Sequence, residues 1–472
     1  MIAAREVIVV GAGVAGLSAA IALAEEGAQV TLLERRPFVG GRAYSYLHPA
    51  LDEVVDSQHV LLGCCTNLID LCERAGLADK IRWYEKQTFL EPATDRRGVR
   101  ASTIELGSLP APMMYTGSFL KPSMISVADK LAIAGGLTAF LRGEAGSDTE
   151  SVAQWYRRSG QTNGAIRHFW EPIVLATLND SAEHCSMKYA AKVFYELFLK
   201  TAVGGKLGIP TVPLSEFYGL ALDSFVAKGG RVELRATVDR LECGVAGTWT
   251  VTAGERQFAA KDVILALPFE QTQKLLVSAV PGDGNEEARQ ELLAKMARFV
   301  HSPFISILLW YDRQITDLDH AWLLDTTIQW FFHKSRIRGY APERGSYVEL
   351  VIAGSKRELP LSRAEILEPA LAELERFFPE ARQAKLLKSG ILKEARATFS
   401  VTPGLDQFRP DQATGLPGLY VAGDWTATDW PSTMEGASRS GRLAAGAVAG
   451  DRERYLTPEL APSGLSRWLA RG

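Results

Sequence analysis

Glu6-Val-Ile-Val-Val10-Gly11-Ala-Gly13-Val-Ala-Gly16, continued by a small-residue apolar run to Glu26, by Gly27 and by Gln29-Val-Thr-Leu-Leu-Glu34, is the stretch that decides the fold. Glu6 to Val10 is rich in β-branched residues, as a strand buried on both faces is. Val14 to Glu26 then reads as a helix of small apolar residues, ended by Gly27. Gln29 to Leu33 is a second strand. Strand, tight turn, helix and strand together make the opening of a mononucleotide-binding βαβ unit. Hydrophobicity alone would make the same run a signal peptide or an anchor. The glycines at fixed offsets and the acidic Glu25-Glu26 exclude that, and no other stretch supplies the ~18 uncharged apolar residues of a membrane span.

Each residue of the turn has a physical task. Gly11 permits the tight turn, Gly13 lets backbone approach a pyrophosphate, and Gly16 lets helix and strand pack closely. The pyrophosphate would sit at the positive helix N-terminus, on the free amides around Val14 and Ala15. Glu34 ends the second strand 18 residues after Gly16. A carboxylate there accepts from both ribose hydroxyls and repels a 2′-phosphate, which disfavours NADP. Arg35 follows it, and Gly40-Gly41-Arg42 can wrap a diphosphate with a guanidinium as counter-charge. Far downstream, Gly418-Leu-Tyr-Val-Ala-Gly423-Asp424 repeats the strand-then-glycine theme, with an Asp suited to a ribityl hydroxyl. Thr433-Met434-Glu435-Gly436-Ala437 opens a second helix whose amides could face a flavin ring and stabilise its negatively charged reduced form. NAD has no ribityl chain, so the set points to FAD.

Composition narrows the class. The chain has 472 residues, enough for two or three domains, with 47% hydrophobic and 23% charged residues. The net charge is −3, so no strong field favours nucleic acid. The five cysteines have no framework spacing, and the seven histidines do not cluster as metal ligands. A reduced, cytoplasmic protein without metal is expected. Covalent flavin attachment through a late cysteine is excluded, because none follows Cys243.

The cofactor-style pieces fall in residues 1–80, 205–275 and 405–455. The expected fold class is therefore α/β: a discontinuous, glutathione-reductase-like Rossmann-type FAD-binding domain, joined to a second α+β substrate domain from 81–204 and 276–404. Residues 456–472 form a tail. From about 84 to 210 the character changes, with helical spacing and many apolar side chains over 125–142, 151–178 and 186–203. Strands are expected at Val263 to Leu267 (with Ala266 near its end), Phe304 to Tyr311, Thr327 to Phe332, Tyr347 to Ala353 and Ala384 to Phe399. An amphipathic helix is expected at Arg363 to Phe378, and an exposed loop at 280–287.

These residues resemble the large FAD-dependent group of amine oxidases, protoporphyrinogen oxidases and phytoene-type desaturases, over nearly the whole chain. Gly11 to Arg42 and Gly418 to Arg442 carry the resemblance, and Gly229-Gly230 with Val238 is similar to the segment that contacts adenine in that group. Four stretches further resemble the hydroxysqualene dehydroxylases, also called squalene-associated FAD-dependent desaturases. They are Asp56-Ser-Gln58-His59-Val-Leu-Leu-Gly63-Cys64, Phe169-Trp170-Glu-Pro172 through Asn179, Gly208-Ile-Pro210 through Tyr218, and Pro431-Ser-Thr433-Met434-Glu435-Gly436-Ala437. Ser57 departs from the Gly usual beside Gln58-His59. The resemblance implies that a C30 allylic alcohol, hydroxysqualene, loses its hydroxyl and gains hydride from reduced FAD. Squalene for hopanoid or sterol synthesis would result. A phytoene-type desaturase or an amine oxidase is the alternative, and a non-catalytic lipid-presenting flavoprotein a third.

Such chemistry asks for a proton donor, π-faces and little water. His59, beside Gln58, is the expected donor. Phe169, Trp170, Trp330, Phe331, Trp425 and Trp430 are the expected walls, with Trp170 and Trp430 closest to the chemistry, although ordinary core is the competing reading for each. Asp56 is expected to fix the loop, and Cys64 and Cys65 to be structural thiols. Amine oxidases carry a Lys where this chain has Phe299-Val-His301-Ser302-Pro303-Phe304, and His301 is the available substitute. A bilayer-resident substrate implies peripheral attachment to the inner face of the cytoplasmic membrane. Ile125 to Phe140, Val193 to Ile209 and Leu465-Ser-Arg467-Trp468-Leu-Ala-Arg471 are the segments suited to it, with protein core as the competing reading for the first two.

Overall fold

A computed structural model describes residue 2 and residues 4–92, 98–121, 124–144, 146–244, 247–282 and 284–469. Five parallel strands form one sheet in the order Arg231–Leu234, Gln29–Glu34, Glu6–Val10, Asp262–Leu265 and Leu419–Val421. The helix Val14–Glu25 covers this sheet and is itself covered by the helix Met434–Ala449. Every residue from Val14 to Ala24 is therefore buried, which explains a helix that is apolar all round. Close approach needs glycine at two points. A Cβ on Gly16 would lie 1.8 Å from the Gly11 carbonyl oxygen, and one on Gly441 would lie 2.0 Å from that of Ala15.

The second layer is a seven-stranded, mostly antiparallel sheet. Its order is Leu386–Phe399, His301–Tyr311, Ser346–Ala353, Trp330–Phe332, His320–Leu323, Lys86–Pro92 and Val99–Glu105. The helix Arg363–Phe377, started by a Ser362–Glu365 capping box, packs on one face of this sheet. The other face turns toward the dinucleotide half. Side chains alternate along Trp330–Phe332, so Phe331 enters the core against Phe378 while Trp330 and Phe332 face the opposite way.

Several expected elements differ. Lys86–Pro92 and Val99–Glu105, for which the sequence reading gives no element, pair as antiparallel strands, with Thr88 opposite Thr103 and Leu90 opposite Ala101. The helical run 151–178 is broken into Val152–Arg158, Asn163–Ala165, a π-helical turn Ile166–Trp170 and Glu171–Leu178. The run 186–203 is a helix Met187–Phe194 followed by a second π-turn, Tyr195–Lys200. Pro281 and Gly282 precede a helix, Glu286–Met296, that the sequence reading left out.

Candidate functional site

A cavity of about 650 Å³ runs between the two layers. Its first half is built from the ends of the parallel strands. Gly11 has φ +101°, open to glycine alone without strain, and a Cβ there would lie 2.5 Å from the Ala266 carbonyl oxygen. Gly13 caps the first helix without a side-chain acceptor, and the amides of Val14, Ala15 and Gly16 have no partner among the described residues. Gly40 pairs with Gly13, and its amide donates to the Ala12 carbonyl at 2.8 Å, so the two glycine loops stand side by side.

Glu34 is buried at this end. Its Oε2 accepts from the Ala12 amide at 2.9 Å and its Oε1 from the Arg36 amide at 2.8 Å. Two amides fix the carboxylate on the cavity wall while leaving lone pairs for ribose hydroxyls. Arg36 donates to the Gly41 carbonyl at 2.8 Å and lies 4.2 Å from the Tyr44 ring centroid, bracing the loop. Arg35, Gly40, Gly41, Arg42, Val238, Ala266, Gly423 and Asp424 also line the wall. Arg42 pairs with Asp424, which also accepts from Ser432. Gly16 is absent from the lining, since its role is helix–strand packing.

At the far end Thr433 caps the late helix, accepting from the Gly436 amide at 3.1 Å, and among the described residues the amides of Met434 and Glu435 have no partner. Met434, Glu435 and Ala437 line the cavity. The Glu435 carboxylate does not point to a ligand. It caps the helix Thr66–Arg74, taking the Leu68 amide at 2.8 Å and both nitrogens of Asn67. A strip of unpartnered amides, glycines too tight for any Cβ and a fixed acidic end fits a flavin dinucleotide along its length.

The second half is apolar. Phe89, Phe304, Trp322, Trp330, Phe332 and Val351 come from the antiparallel sheet, and Ile173, Ala176, Val193, Leu197 and Phe198 from the helices. Gln58 and His59 stand where the halves meet. Their loop rests on a buried quartet. Lys334 bridges Asp56 and Glu349 (2.6 Å to the latter), and Arg338 grips both Asp56 oxygens at 2.8 and 2.7 Å. Glu349 also accepts from the Gln58 amide at 2.9 Å. Burial alone would raise the Asp56 carboxyl, but Lys334 and Arg338 outweigh it and hold it at about 2. Asp56 thus fixes the loop.

Other placements correct the sequence reading. His59 Nδ1–H donates to the Ser57 carbonyl at 2.9 Å, and burial lowers the ring's pKa, so the ring is neutral with a bare Nε2. Such a ring accepts a proton and does not supply one. Trp170 is not on the wall. It is wholly buried among Phe140, Trp155, Phe169 and Phe194, with Nε1 donating to Gln161 at 2.7 Å. Phe169, Phe331 and Trp425 are likewise core, and Trp425 donates to the Leu267 carbonyl at 2.9 Å. Trp430 does line the cavity, and its Nε1 donates to Glu459 at 3.0 Å. His301 stacks on Phe269 at 4.5 Å, off the wall, and Lys274 is the one lysine lining the cavity among the described residues. Cys64 and Cys65 are buried free thiols. Sequence reasoning missed Glu196, a buried carboxyl on the apolar wall, within a helix whose π-turn no periodicity announces.

A Rossmann-type dinucleotide site that opens into a walled, apolar cavity defines an FAD-dependent oxidoreductase. The chain belongs to the flavin containing amine oxidoreductase family, whose profile matches residues 14–449. Zeta-carotene desaturase of Synechocystis is similar to it, 26% identical over 96% of this chain and 99% of its own. 15-cis-Phytoene desaturase of Narcissus pseudonarcissus is 28% identical over 95% of this chain and 80% of its own. Among solved structures, an oxidoreductase of Methanosarcina mazei has a TM-score of 0.72 at 18% identity, covering 95% of this chain and 100% of its own. Cyclohexylamine oxidase of Brevibacterium oxydans gives 0.66 at 20%, with the same coverage of both chains. At these identities the structures establish the fold. Among the described residues no group of side chains could hold a metal ion.

Proposed function

We propose that the protein carries out flavin-dependent redox chemistry on a long isoprenoid chain, and that its reaction is the reductive dehydroxylation of a hydroxysqualene-type C30 allylic alcohol to squalene. One observation carries this reading. The four stretches that resemble hydroxysqualene dehydroxylases converge on one place. Residues 57–64, 173–179 and 431–437 contribute to the cavity wall. The fourth lies behind them, pairing Gly208 with Leu61 and donating the Leu214 amide to Asp56 at 3.2 Å. When bound, FAD supplies or takes the hydride. The chain holds it through Glu34, the glycine loops and the late helix, while the aromatic wall keeps water from a delocalised cation and offers it π-faces.

A second reading is desaturation of a carotenoid-type chain, and the relatives favour it, since those compared are zeta-carotene and phytoene desaturases. The absence of a lysine from the apolar half of the wall, among the described residues, weighs against amine oxidation. Anaerobic incubation of the reduced holoprotein with hydroxysqualene separates the readings. Squalene formed in step with flavin reoxidation supports the first. Inertness there, with double bonds introduced into phytoene by the oxidised protein, replaces it with the second.

The proposal includes peripheral attachment at the cytoplasmic face of the membrane. Its support is an exposed apolar set on neighbouring segments: Leu109, Met113, Leu120, Val127 and Leu131, with Leu465, Trp468 and Leu469. The Leu465 amide donates to the Ala111 carbonyl at 2.8 Å, and Lys130 to that of Leu120 at 2.7 Å. Residues 193–209 are mostly core and cavity wall, with Phe194 and Ile209 fully buried, and Val203 is the large apolar side chain of that stretch left exposed. Arg471 lies outside the described residues. No helix among those residues is long and apolar enough to cross a membrane. Flotation with anionic liposomes tests the attachment, and protein left at the bottom of the gradient refutes it.

A further inference from the structure

We propose that Glu196 is the proton-transfer group of the cavity, served from solvent by Lys200 and Glu459. The inference deepens the reading above and rests on it for the identity of the substrate. Glu196 sits on the π-turn Tyr195–Lys200, a local widening of the helix that often marks a functional site. Its residue is 3% exposed, yet it lines the apolar half of the cavity. The two carboxyl oxygens are treated differently. Oε1 accepts from Lys200 Nζ at 2.6 Å, and Oε2 has no partner among the described residues. Lys200 Nζ also donates to Glu459 Oε2 at 3.2 Å. Glu459 is a quarter exposed, and its Oε1 takes Lys192 Nζ and Trp430 Nε1, both at 3.0 Å. A hydrogen-bonded line therefore runs from solvent, past a lysine, to one buried carboxyl with an oxygen to spare.

Several other titratable groups of the wall are committed: Glu85 pairs with Lys206 at 2.6 Å, and Asp239 accepts from the Gly254 amide at 3.2 Å. His59 is a neutral acceptor. Both oxygens of Glu435 cap a helix, Asp424 is paired with Arg42 and Ser432, and Glu34 serves the nucleotide end. Burial lifts the Tyr115 hydroxyl to about 12, too weak an acid for the task. Burial also lifts the Glu196 carboxyl, against the pull of Lys200 and Lys192 and with that of Glu459, and the thiol of Cys64 faces the same region. Such a carboxyl stays protonated to higher pH than a solvated one, which suits a general acid.

In dehydroxylation, the Glu196 proton goes to the substrate hydroxyl, the C–O bond breaks, and its electron pair leaves on water. FAD, when bound and reduced, would supply the hydride that the allylic cation needs. Glu196, now a carboxylate held by Lys200, regains its proton from solvent along the Glu459–Lys200 line. In desaturation the same carboxylate would accept the proton lost next to the carbon that has given up hydride, closing the double bond.

The test uses the FAD-loaded protein and Glu196→Gln, which keeps the shape and the acceptor for Lys200. Single-turnover conversion of hydroxysqualene is expected to fall about 100-fold or more, with FAD content unchanged. An allylic chloride analogue, whose leaving group needs no proton, is expected to restore the variant to near the wild-type rate. Equal loss on both compounds, or no loss on either, overturns the proposal. Lys200→Met removes the cation beside the carboxyl, so the alkaline fall of turnover should move to higher pH, and an unmoved profile counts against the assignment. One readout needs no substrate. The infrared spectrum of wild type minus Glu196→Gln should carry a carboxylic-acid carbonyl band that persists above the ordinary carboxylate range, and its absence overturns the proposal. If wild type leaves hydroxysqualene untouched while that band is present, the substrate reading fails and the role of Glu196 stands.

Discussion

Gly13→Ala and Gly16→Ala place the same methyl group three residues apart and should damage different things. At Gly13 the backbone is extended, with φ −77°, and a Cβ meets nothing closer than the Gly41 Cα at 3.6 Å, an ordinary contact. The apoprotein should therefore keep its stability to within about 1 kcal/mol. That methyl, however, enters the slot between the first helix and the Gly40-Gly41 loop, over the unpartnered amides of Val14, Ala15 and Gly16. Losing one or two charge-assisted hydrogen bonds at about 1.5–3 kcal/mol each weakens FAD binding about 100-fold or more. At Gly16 the Cβ would stand 1.8 Å from the Gly11 carbonyl oxygen, so the helix must move off the strand. Overpacking of that kind costs about 1–3 kcal/mol or more, and the loss appears in the apoprotein. Urea unfolding of both apoproteins, with fluorescence titration of FAD, separates the two effects. FAD bound by Gly13→Ala with wild-type affinity would refute the placement of the diphosphate.

Three further outcomes follow from the packing. Trp170→Phe removes a hydrogen bond and part of a buried ring, so stability should drop by about 1–3 kcal/mol with turnover unchanged; a turnover defect at unchanged stability would put Trp170 back in the site. Lys334→Met strips Asp56 and Glu349 of their shared cation, a loss of about 3–5 kcal/mol, seen in urea unfolding. A midpoint equal to that of wild type would contradict the bridging role. Asp56 titrates at about 2 in the fold and near 3.9 when unfolded, so the unfolded chain takes the proton first as pH falls. Its contribution, about 2.5 kcal/mol, is complete above about pH 5 and lost as the pH falls toward about 1. The stability gap between wild type and Asp56→Asn should close across that window, and a constant gap would refute the assignment.

The dinucleotide half was legible because its pattern of residues is compact in sequence. Gly11 and Gly16 meet within one turn, and Glu34 ends the strand that follows the helix and returns to the Ala12 amide, although Gly11 also packs on Ala266 and Gly13 on Gly41. The substrate half was not. The alternation that sends Trp330 to the cavity and Phe331 to the core depends on which face of the sheet the helix Arg363–Phe377 covers, and that is settled only by tertiary packing. Trp170 and Trp430 look alike in sequence, yet one fills a core and the other a wall. The paired strands Lys86–Pro92 and Val99–Glu105 are rich in polar residues such as Gln87, Thr88, Arg100, Ser102 and Thr103, so no apolar alternation announces them. Glu196 gave no signal at all, since a lone glutamate on a helix is ordinarily solvated, and only the π-turn and the ring of neighbours make it a buried acid.

The central claim is that three distant stretches enclose one flavin dinucleotide between them. A crystal structure of the FAD-loaded protein tests it most directly. The adenosine ribose should lie against the Glu34 carboxylate, the diphosphate on the amides of Val14 and Ala15, and the isoalloxazine ring between the Gln58-His59 loop and the Met434 end of the late helix. Electron density that puts the ring elsewhere, or a ribose out of reach of Glu34, would contradict the account.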